Sequence, residues 1–300
     1  MWKRIAKWLL IGLAGVLASV ACFVFWHVRA YDRSTTKIHD IALEPITLRD
    51  DPAALERGKH LAESLGECTE CHGDNFAGGR VENMGPLGRV VIPNATAGGR
   101  LRQYSDAELA RLIRHGVKRD GTTVRLMPST SYAWWPDEDV AALIAWLRKR
   151  PAVPGDPGVF EVTAMAKVLD RFDSIPIDVA RRIDHQAPRR APAPSADAHY
   201  GSFVGTSCRG CHGVTLAGGP IPGAPPDIAV PLNLTRHATG LAGWTYDDFK
   251  TLVQTGKRKN GKPLDPFMPV ASLRAMNEVE LQALWLYLQS VPPRPLGERS

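Results

Sequence analysis

The sequence predicts an all-helical protein in which two tandem copies of one domain follow an N-terminal transmembrane helix. Three observations carry this prediction: an apolar run near the N-terminus, a long internal repeat, and helical spacing of apolar residues in each copy. The 300 residues suffice for two modest domains. The formal charge of +6 includes no long basic run, so we expect no nucleic-acid partner.

The apolar run extends from Trp8 to Val28 and follows three basic residues. Roughly 20 apolar residues cross a bilayer, and preceding basic residues keep the N-terminus in the cytoplasm. The run therefore predicts a single-pass anchor in lipid, in the inner membrane of a bacterium, with residues 30–300 in the periplasm. Two alternatives remain open: cleavage of a signal peptide after Ser19-Val20-Ala21, and lipidation of Cys22.

The repeat is marked by a C-x-x-C-H-G motif at residues 68–73 that recurs at 208–213, an offset of 140 residues. An Ala-Gly-Gly tripeptide keeps this offset, and the Met-Pro dipeptides at 127 and 268 follow after one inserted residue. The predicted divisions are 1–29 (N-terminus and anchor), 30–50 (spacer), 51–150 (first copy), 151–196 (Pro-rich linker with room for a short helix), 197–293 (second copy) and 294–300 (tail).

Each copy is predicted to fold as a small set of helices. Capping boxes open a middle helix at Ser105 and Thr245, and Gly116 and Gly256 suit its C-terminal end. The remaining predicted helices are 52–64 after an Asp51 cap, a weaker counterpart around 197–205, and two final helices at 137–148 and 278–289.

The C-x-x-C-H motif is a signal for covalent attachment of haem c. Two thiols form thioethers with the porphyrin, and the imidazole that follows ligates the iron. The motif therefore predicts two covalently bound haem c groups on this chain. Their attachment residues are Cys68 and Cys71 with His72, and Cys208 and Cys211 with His212. Paired cysteines can also bind zinc or act as a redox dithiol, but each pair here has an adjacent His and lies in a helical repeat.

The sixth iron ligand is predicted to be Met127 in the first copy and Met268 in the second. Both precede proline at equivalent positions, and a thioether sulfur is a soft ligand that raises the potential of haem iron. The remaining methionines are expected to fill cores: Met84, Met165 and Met276. Several histidines have no counterpart in the other copy and are expected to be surface or packing residues: His60, His115, His185, His199 and His237.

With these motifs, each copy resembles a class I cytochrome c domain. The second copy is similar to the haem domains of membrane-bound alcohol, aldehyde and gluconate dehydrogenase cytochrome subunits, through Pro231-Leu-Asn-Leu-Thr235, Gly243-Trp-Thr245, Gly256-Lys-Arg-Lys-Asn-Gly261 and Phe267-Met-Pro269. The resemblance covers residues 53–150 and 198–293, and it implies an all-helical fold around each haem and electron relay. Those subunits commonly carry three haem motifs, whereas this chain has two.

We therefore expect an electron carrier without catalytic residues of its own. Its expected partners are a dehydrogenase as electron donor and an oxidase, a quinone or a soluble cytochrome as acceptor. One alternative is a dihaem enzyme, such as a peroxidase, in which one iron has an open sixth position. Another is a haem-bearing sensor or assembly module, although the chain contains no recognisable signalling domain.

Overall fold

The computed structural model describes residues 1–155, 157–189, 191–221 and 228–300, and it is mostly helical. In chain order, the α-helices of this part are α1 (Trp2–Thr36), α2 (Pro52–Glu63), α3 (Cys68–His72), α4 (Asp106–His115), α5 (Ser129–Tyr132), α6 (Asp137–Lys149), α7 (Ala164–Arg171), α8 (Ala198–Val204), α9 (Cys208–His212), α10 (Tyr246–Thr255), α11 (Val270–Arg274) and α12 (Glu278–Ser290). Short 3-10 helices occupy Gly85–Leu87, Arg100–Gln103 and Ala180–Arg182.

Helix α1 is long enough and apolar enough to cross a membrane, and its apolar window is not covered by the rest of the protein. Only its C-terminal end is packed, where Tyr31 and Thr35 are buried. There α1 contacts α7, and Lys167 forms an ion pair with Asp32 at 2.7 Å. The apolar helix therefore projects from the globular part and is attached to it next to the linker.

The same order of helices occurs in both copies, with α2 to α6 in the first and α8 to α12 in the second. Asp51 caps α2 by accepting a bond from Ala54 N, and Asp197 caps α8 in the same way. The two predicted capping boxes, at the starts of α4 and α10, are present. Gly116 and Gly256 end these helices in the left-handed conformation, with φ of 61° and 68°, as predicted.

Each copy folds around its own apolar core. In the first copy α2 crosses α6, and in the second α8 crosses α12. A Cβ atom added at Gly58 or at Gly201 would collide with the backbone of the facing helix, so both crossings need glycine. The cores include fully buried Leu61 and Ile144 in the first copy and Leu288 in the second. Burial of each such side chain stabilises the fold by roughly 1.5–3 kcal/mol.

The linker between the copies, residues 151–196, packs onto the first copy. It supplies strand β3 (Val159–Val162), which pairs antiparallel with β2 (Gly88–Val91), and β2 pairs with β1 (Val81–Asn83). The sequence did not predict this small sheet. The segment also contains α7 and buries Ile177 in a cluster with Tyr31 and Leu87.

The two copies meet along α2, α8 and α12. Leu65 and Phe203 pack against both apolar cores. Beside them, the fully buried carboxylate of Glu280 accepts a hydrogen bond from His60 Nε2 at 2.8 Å. Arg57 binds Asp139 with two hydrogen bonds of 2.8 Å and lies 4.0 Å from Glu280. Apolar and ionic contacts thus join the copies into one unit.

Candidate functional site

Each C-x-x-C-H motif forms one short helical turn, α3 in the first copy and α9 in the second. Both turns end at a glycine with positive φ, 74° at Gly73 and 80° at Gly213. With ψ near 165°, this is a conformation that glycine adopts and other residues avoid. The chain therefore turns away directly after the histidine, and the two motifs have the same local geometry.

The two motif histidines have equivalent hydrogen bonds. His72 Nδ1 lies 2.9 Å from the carbonyl oxygen of Pro93, and His212 Nδ1 lies 2.7 Å from that of Leu232. Because a carbonyl only accepts, each Nδ1–H donates and each Nε2 keeps its lone pair. Burial lowers the pKa of both imidazoles, although the bond to the carbonyl acts in the opposite direction. Both imidazoles are therefore oriented with an unprotonated Nε2 that could ligate a metal ion.

A second glycine in each copy brings the accepting carbonyl close to the motif. Gly78 and Gly218 have φ of 67° and 66°. A Cβ atom at Gly78 would lie 2.6 Å from the Pro93 oxygen, and one at Gly218 would collide with the Leu232 oxygen. The repeated Ala-Gly-Gly tripeptide therefore has a structural reason: it allows the loop that orients the histidine to approach.

This loop is fixed by a buried Asn/Thr pair that is also repeated. Asn94 Oδ1 accepts hydrogen bonds from the backbone N–H and the hydroxyl of Thr96, both at 2.8 Å. Asn233 and Thr235 form the same two bonds at 2.8 Å. Each asparagine amide also donates to the chain beyond the last helix of its copy, to Val153 O in the first. Burial of these polar groups is tolerated because they are satisfied.

None of the four motif cysteines is paired in a disulfide bond. Burial raises the pKa of Cys68 and of Cys208 to about 12, and it also raises the pKa of Cys71 and Cys211. A redox dithiol or a zinc site depends on thiolates, which this environment disfavours. Within the described residues, no group of three or more His, Cys, Asp or Glu side chains is placed to share a metal ion. The raised pKa values of the thiols therefore weigh against the redox-dithiol alternative.

The structure brings a motif cysteine and the candidate methionine to the same apolar core in each copy. Cys68 and Met127 pack against the core of the first copy, and Cys208 and Met268 against that of the second. Phe76, in the first core, lies parallel to the His72 ring with centroids 6.2 Å apart. Thiols, an imidazole nitrogen, a thioether sulfur and apolar walls are the groups that hold haem c, so both sites fit that cofactor.

The two motifs adjoin at the interface between the copies. Burial raises the pKa of the Glu67 carboxyl, directly before Cys68, and the nearby hydroxyl of Ser207, directly before Cys208, acts in the opposite direction. Glu70, inside the first motif, accepts bonds from the backbone N–H and hydroxyl of Ser272 at 3.2 and 2.9 Å. Ser272 lies in α11, which follows Met268 in the chain. The sequence repeat did not reveal this adjacency, because Glu67 and Glu70 are replaced by Ser207 and Gly210 in the second copy.

Of the five histidines expected to be surface or packing residues, four have side-chain partners in the protein and His199 is exposed. His60 binds Glu280, His115 Nδ1 lies 3.1 Å from His185 Nδ1, and His237 contacts Thr239. This agrees with the packing or surface role expected for them. The expected role of Met165 as a core residue is wrong, because its side chain is 45% exposed on α7. Met276, by contrast, is buried in the second core.

Comparison with known proteins supports the interpretation of the motifs. A family model described as cytochrome C oxidase, cbb3-type, subunit III matches residues 53–147. The cytochrome c subunit of alcohol dehydrogenase (quinone) from Gluconacetobacter polyoxogenes is 29% identical over 280 residues, which are 82% of this chain and 57% of that protein. The chain therefore spans little more than half the length of this relative.

Two shorter matches concern related proteins. The gluconate 2-dehydrogenase cytochrome c subunit of Pantoea cypripedii is 36% identical over 87 residues, 27% of this chain and 19% of that one. A diheme cytochrome c-type protein of Cereibacter sphaeroides is 34% identical over 110 residues, 33% of this chain and 36% of that one. The resemblance inferred from the motifs is thus confirmed: the chain carries a haem-binding cytochrome c domain at residues 53–147 and is homologous to dehydrogenase cytochrome c subunits.

Proposed function

We propose that this chain is a membrane-anchored dihaem cytochrome c that passes electrons from a dehydrogenase to a downstream acceptor. The observation that carries the proposal is the adjacency of two equivalent C-x-x-C-H turns, in which Ser272 donates two hydrogen bonds to Glu70 and Ser207 lies close to the Glu67 carboxyl. A bound haem c supplies an iron that accepts and releases an electron. A fixed, short separation between two such sites removes the need for diffusional encounter.

The residues have distinct roles in this proposal. Cys68 and Cys71 hold one haem, and Cys208 and Cys211 hold the other. His72 and His212 ligate iron through Nε2, held by the Nδ1 bonds to Pro93 and Leu232. Met127 and Met268 would supply the remaining iron ligands, since each packs against the same apolar core as a cysteine of its own motif. The residues accordingly form two cytochrome c domains, 51–150 and 197–293, joined by the linker 151–196.

The interface between the copies keeps the two sites in register. Glu280 is buried without exposed surface and is paired with His60, while Arg57 lies between Glu280 and Asp139. Such a network tolerates few alternative arrangements, because displacement would leave a buried carboxylate without a partner. We infer that these residues act on relay by positioning the two motifs rather than by contact with the cofactor.

The proposed setting is the periplasmic face of a bacterial inner membrane. Helix α1 has the length and hydropathy of a membrane span, and the same properties are found in signal sequences. We propose that it is retained as an anchor, because its end is docked on α7 through Tyr31 and the Lys167–Asp32 pair. The electron donor is proposed to be a quinone-linked dehydrogenase, the class of complex named for the relatives. The acceptor is an oxidase, a quinone or a soluble cytochrome.

One experiment tests the relay and separates it from an enzyme with an open iron. The full chain is produced in a host competent in cytochrome c maturation, together with the double variants C68A/C71A and C208A/C211A. Each variant should keep one haem that dithionite reduces, yet substrate-driven electron flow through membranes should fall to background in both. Full flow through either variant would contradict relay. A resting high-spin haem that binds carbon monoxide in the unmodified protein would favour the enzyme instead.

A further inference from the structure

The hairpin before each Met-Pro loop has the same backbone in both copies. Val117 bridges Thr123, and Lys257 bridges Pro263. In the first hairpin, the N–H of residue 118 donates to the oxygen of residue 122 at 2.8 Å, and residues 258 and 262 form the equivalent bond at 2.9 Å. Because the fold is shared, differences between the two hairpins lie in the side chains and in what covers them.

The first difference is charge. Residues 117–122 contain Lys118, Arg119 and Asp120, a formal charge of +1. Residues 257–262 carry a formal charge of +4, from four cations: Lys257, Arg258, Lys259 and Lys262. Lys259 pairs with Asp248 at 2.6 Å. No ion-pair partner for Lys257 or Lys262 occurs among the described residues, and both lie on the surface.

The second difference is how far other segments of the chain cover each hairpin. The spacer lies on the first hairpin, where His39 N donates to Gly121 O at 2.9 Å and Ile38 closes over Gly121. The linker lies on its other side, where Ala180 N donates to Thr123 Oγ1 at 2.9 Å. At the second hairpin, a Cβ atom added to Gly261 would meet nothing within 4 Å. The first hairpin is therefore an internal contact of the chain, and the second faces solvent.

The residue directly before each candidate methionine is likewise covered in the first copy and exposed in the second. Leu126 packs in the cluster that contains Tyr31 and Ile177. Its counterpart Phe267 is 58% exposed and directly precedes Met268. Phe267 follows the four cations of the hairpin within ten residues of the chain. An exposed aromatic side chain together with polar and charged residues matches the composition of a protein interface, in which an apolar centre has a polar rim.

We propose that a basic face of the second copy, formed by Lys257, Arg258, Lys259, Lys262 and Phe267, docks a carboxylate-rich surface of a redox partner protein. The proposal rests on the proposed function, because docking here places the partner beside Met268 and hence beside the second haem site. The occupant is acidic because the unpaired cations outnumber nearby carboxylates. Those carboxylates are Asp248, already paired with Lys259, and Asp265, whose side chain accepts from Phe267 N.

Charge complementarity of this kind acts mainly on the rate of encounter and on its salt dependence. The expected role of Lys257 and Lys262 is therefore steering and orientation, with Phe267 as the apolar contact. The first copy carries no equivalent face, because the spacer and linker occupy that position. Electrons would therefore enter or leave the chain through the second copy on this side.

The test uses the full-length holoprotein and the variant K257E/K262E. A matched control, K59E/R102E, reverses two exposed cations on the first copy. The probe is a preparation of membranes from the source bacterium that lack this chain, and the readout is the rate at which they oxidise or reduce its haems. We expect K257E/K262E to be about tenfold slower at low salt and to lose most of the salt dependence, with the control unchanged.

A chemical readout identifies the class of partner. A carbodiimide joins amines directly to carboxylates, so cross-linked peptides should connect Lys257 or Lys262 to Asp or Glu of a partner protein. Equal rates for all three proteins, or cross-links confined to other lysines, would overturn the proposal. A loss confined to sedimentation with phosphatidylglycerol vesicles, with electron transfer unchanged, would assign the face to lipid and also overturn it.

The haem content separates this test from failure of the proposed function. If the function is right and the docking proposal wrong, K257E/K262E carries two haems with the parent spectrum and transfers electrons at the parent rate. If the proposed function is wrong, haem is missing from the Cys208–Cys211 motif already in the unmodified chain. The variant F267A gives a second measure, because it should weaken docking without changing the salt dependence.

Discussion

The two copies have the same helices, the same histidine geometry and the same Asn/Thr network, yet their Met-Pro loops lie in different surroundings. In the first copy the loop lies under the chain's own linker, where Leu126 N donates to Ile177 O at 3.3 Å. In the second, Phe267 and the basic hairpin are exposed. The two copies thus share the groups that we propose hold a cofactor, while the added segments determine which copy stays accessible.

The position of α1 matches this difference between a covered first copy and an exposed second copy. The linker that covers the first copy also receives the end of α1, through the Lys167–Asp32 pair and the stacking of Phe172 on Phe23 at 6.1 Å. The first copy is thereby fixed to the membrane helix, and the second extends from it through the His60–Glu280 interface. The first copy is thus held by α1 and the linker, whereas the second copy is exposed. Four predictions test this difference between a held copy and an exposed copy.

The largest effect is expected from loss of an attachment thiol. The variants C68A and C208A should each lower the haem content from two towards one per chain, measured by pyridine haemochrome against protein. The described part of the linker packs on the first copy, so the first should keep more structure without its haem. Limited proteolysis should therefore cut C208A within residues 197–293 faster than it cuts C68A within 51–150. Equal cleavage would remove the distinction between held and exposed copies.

The next largest effect concerns the sixth ligand. The variants M127A and M268A should each lower one potential by on the order of 0.1 V, because a thioether favours reduced iron. The weak absorption band of Met-ligated iron near the red end of the oxidised spectrum should lose intensity. The variant M276L is the matched control, since Met276 is buried in a core and is not a proposed ligand.

The rate at which an added ligand reaches the iron in these two variants then measures how well the spacer and linker cover the first Met-Pro loop. Exogenous imidazole or carbon monoxide should bind M268A faster than M127A, because the linker and spacer lie over the first loop. Identical spectra for both variants and the parent would show that neither methionine ligates iron. Faster binding to M127A would contradict the assignment of the covered copy.

A third prediction concerns the interface between the copies. The variant E280Q removes the charge that pairs with His60 and Arg57, and it should lower the free energy of unfolding by about 3 kcal/mol, as expected for a broken buried pair. The variant D139N alters the equivalent position of the first copy, where the carboxylate is 10% exposed, and should cost less. Urea denaturation of the two holoproteins measures both. Equal losses would indicate that Glu280 has no special role in joining the copies.

The smallest expected effect is a pH dependence of the stability with which the spacer and linker, here called the cover, pack on the first copy. Burial lowers the pKa of His39, His115 and His185, in the case of His115 to about 4. The folded cover therefore binds fewer protons than the unfolded segment, so its stability is full above the ordinary histidine pKa and falls as the pH drops from about 6.5 towards 4.

Hydrogen exchange tests this sign. Protection factors for residues 38–41 and 178–185 should fall by up to about tenfold between pH 7 and pH 5. The hairpin at 257–262 provides an internal control, because it carries no histidine and lies under no such cover. Unchanged protection at 38–41, or an equal change at 257–262, would contradict a role for these three histidines.

Much of this organisation could be predicted from sequence, because each motif and each helix signal occurs once in each copy of the repeat. The caps at Asp51, Ser105 and Thr245 depend on residues close in the chain, and local signals determine them. The C-x-x-C-H motifs are equally local. The Gly78 and Gly218 positions could be recognised as repeated, although only the structure shows which carbonyl they accommodate.

The remaining features depend on contacts between distant segments, which periodicity does not report. Strand β3 lies in the linker and pairs with β2 about 70 residues earlier in the chain. The Glu280–His60 bond joins residues 220 apart, and the position equivalent to His60 in the second copy is Tyr200. The adjacency of the two motifs through Glu67 and Ser207 has the same character. A repeat identifies what two copies share, whereas an interface between them is made by what differs.

The most direct test is intact-mass and peptide analysis of the mature protein from a host competent in cytochrome c maturation. The account predicts the mass of the chain plus two haems, with one haem on a peptide containing Cys68 and Cys71 and the other on a peptide containing Cys208 and Cys211. A colourless product with four free thiols, or haem attached at one motif only, would contradict it.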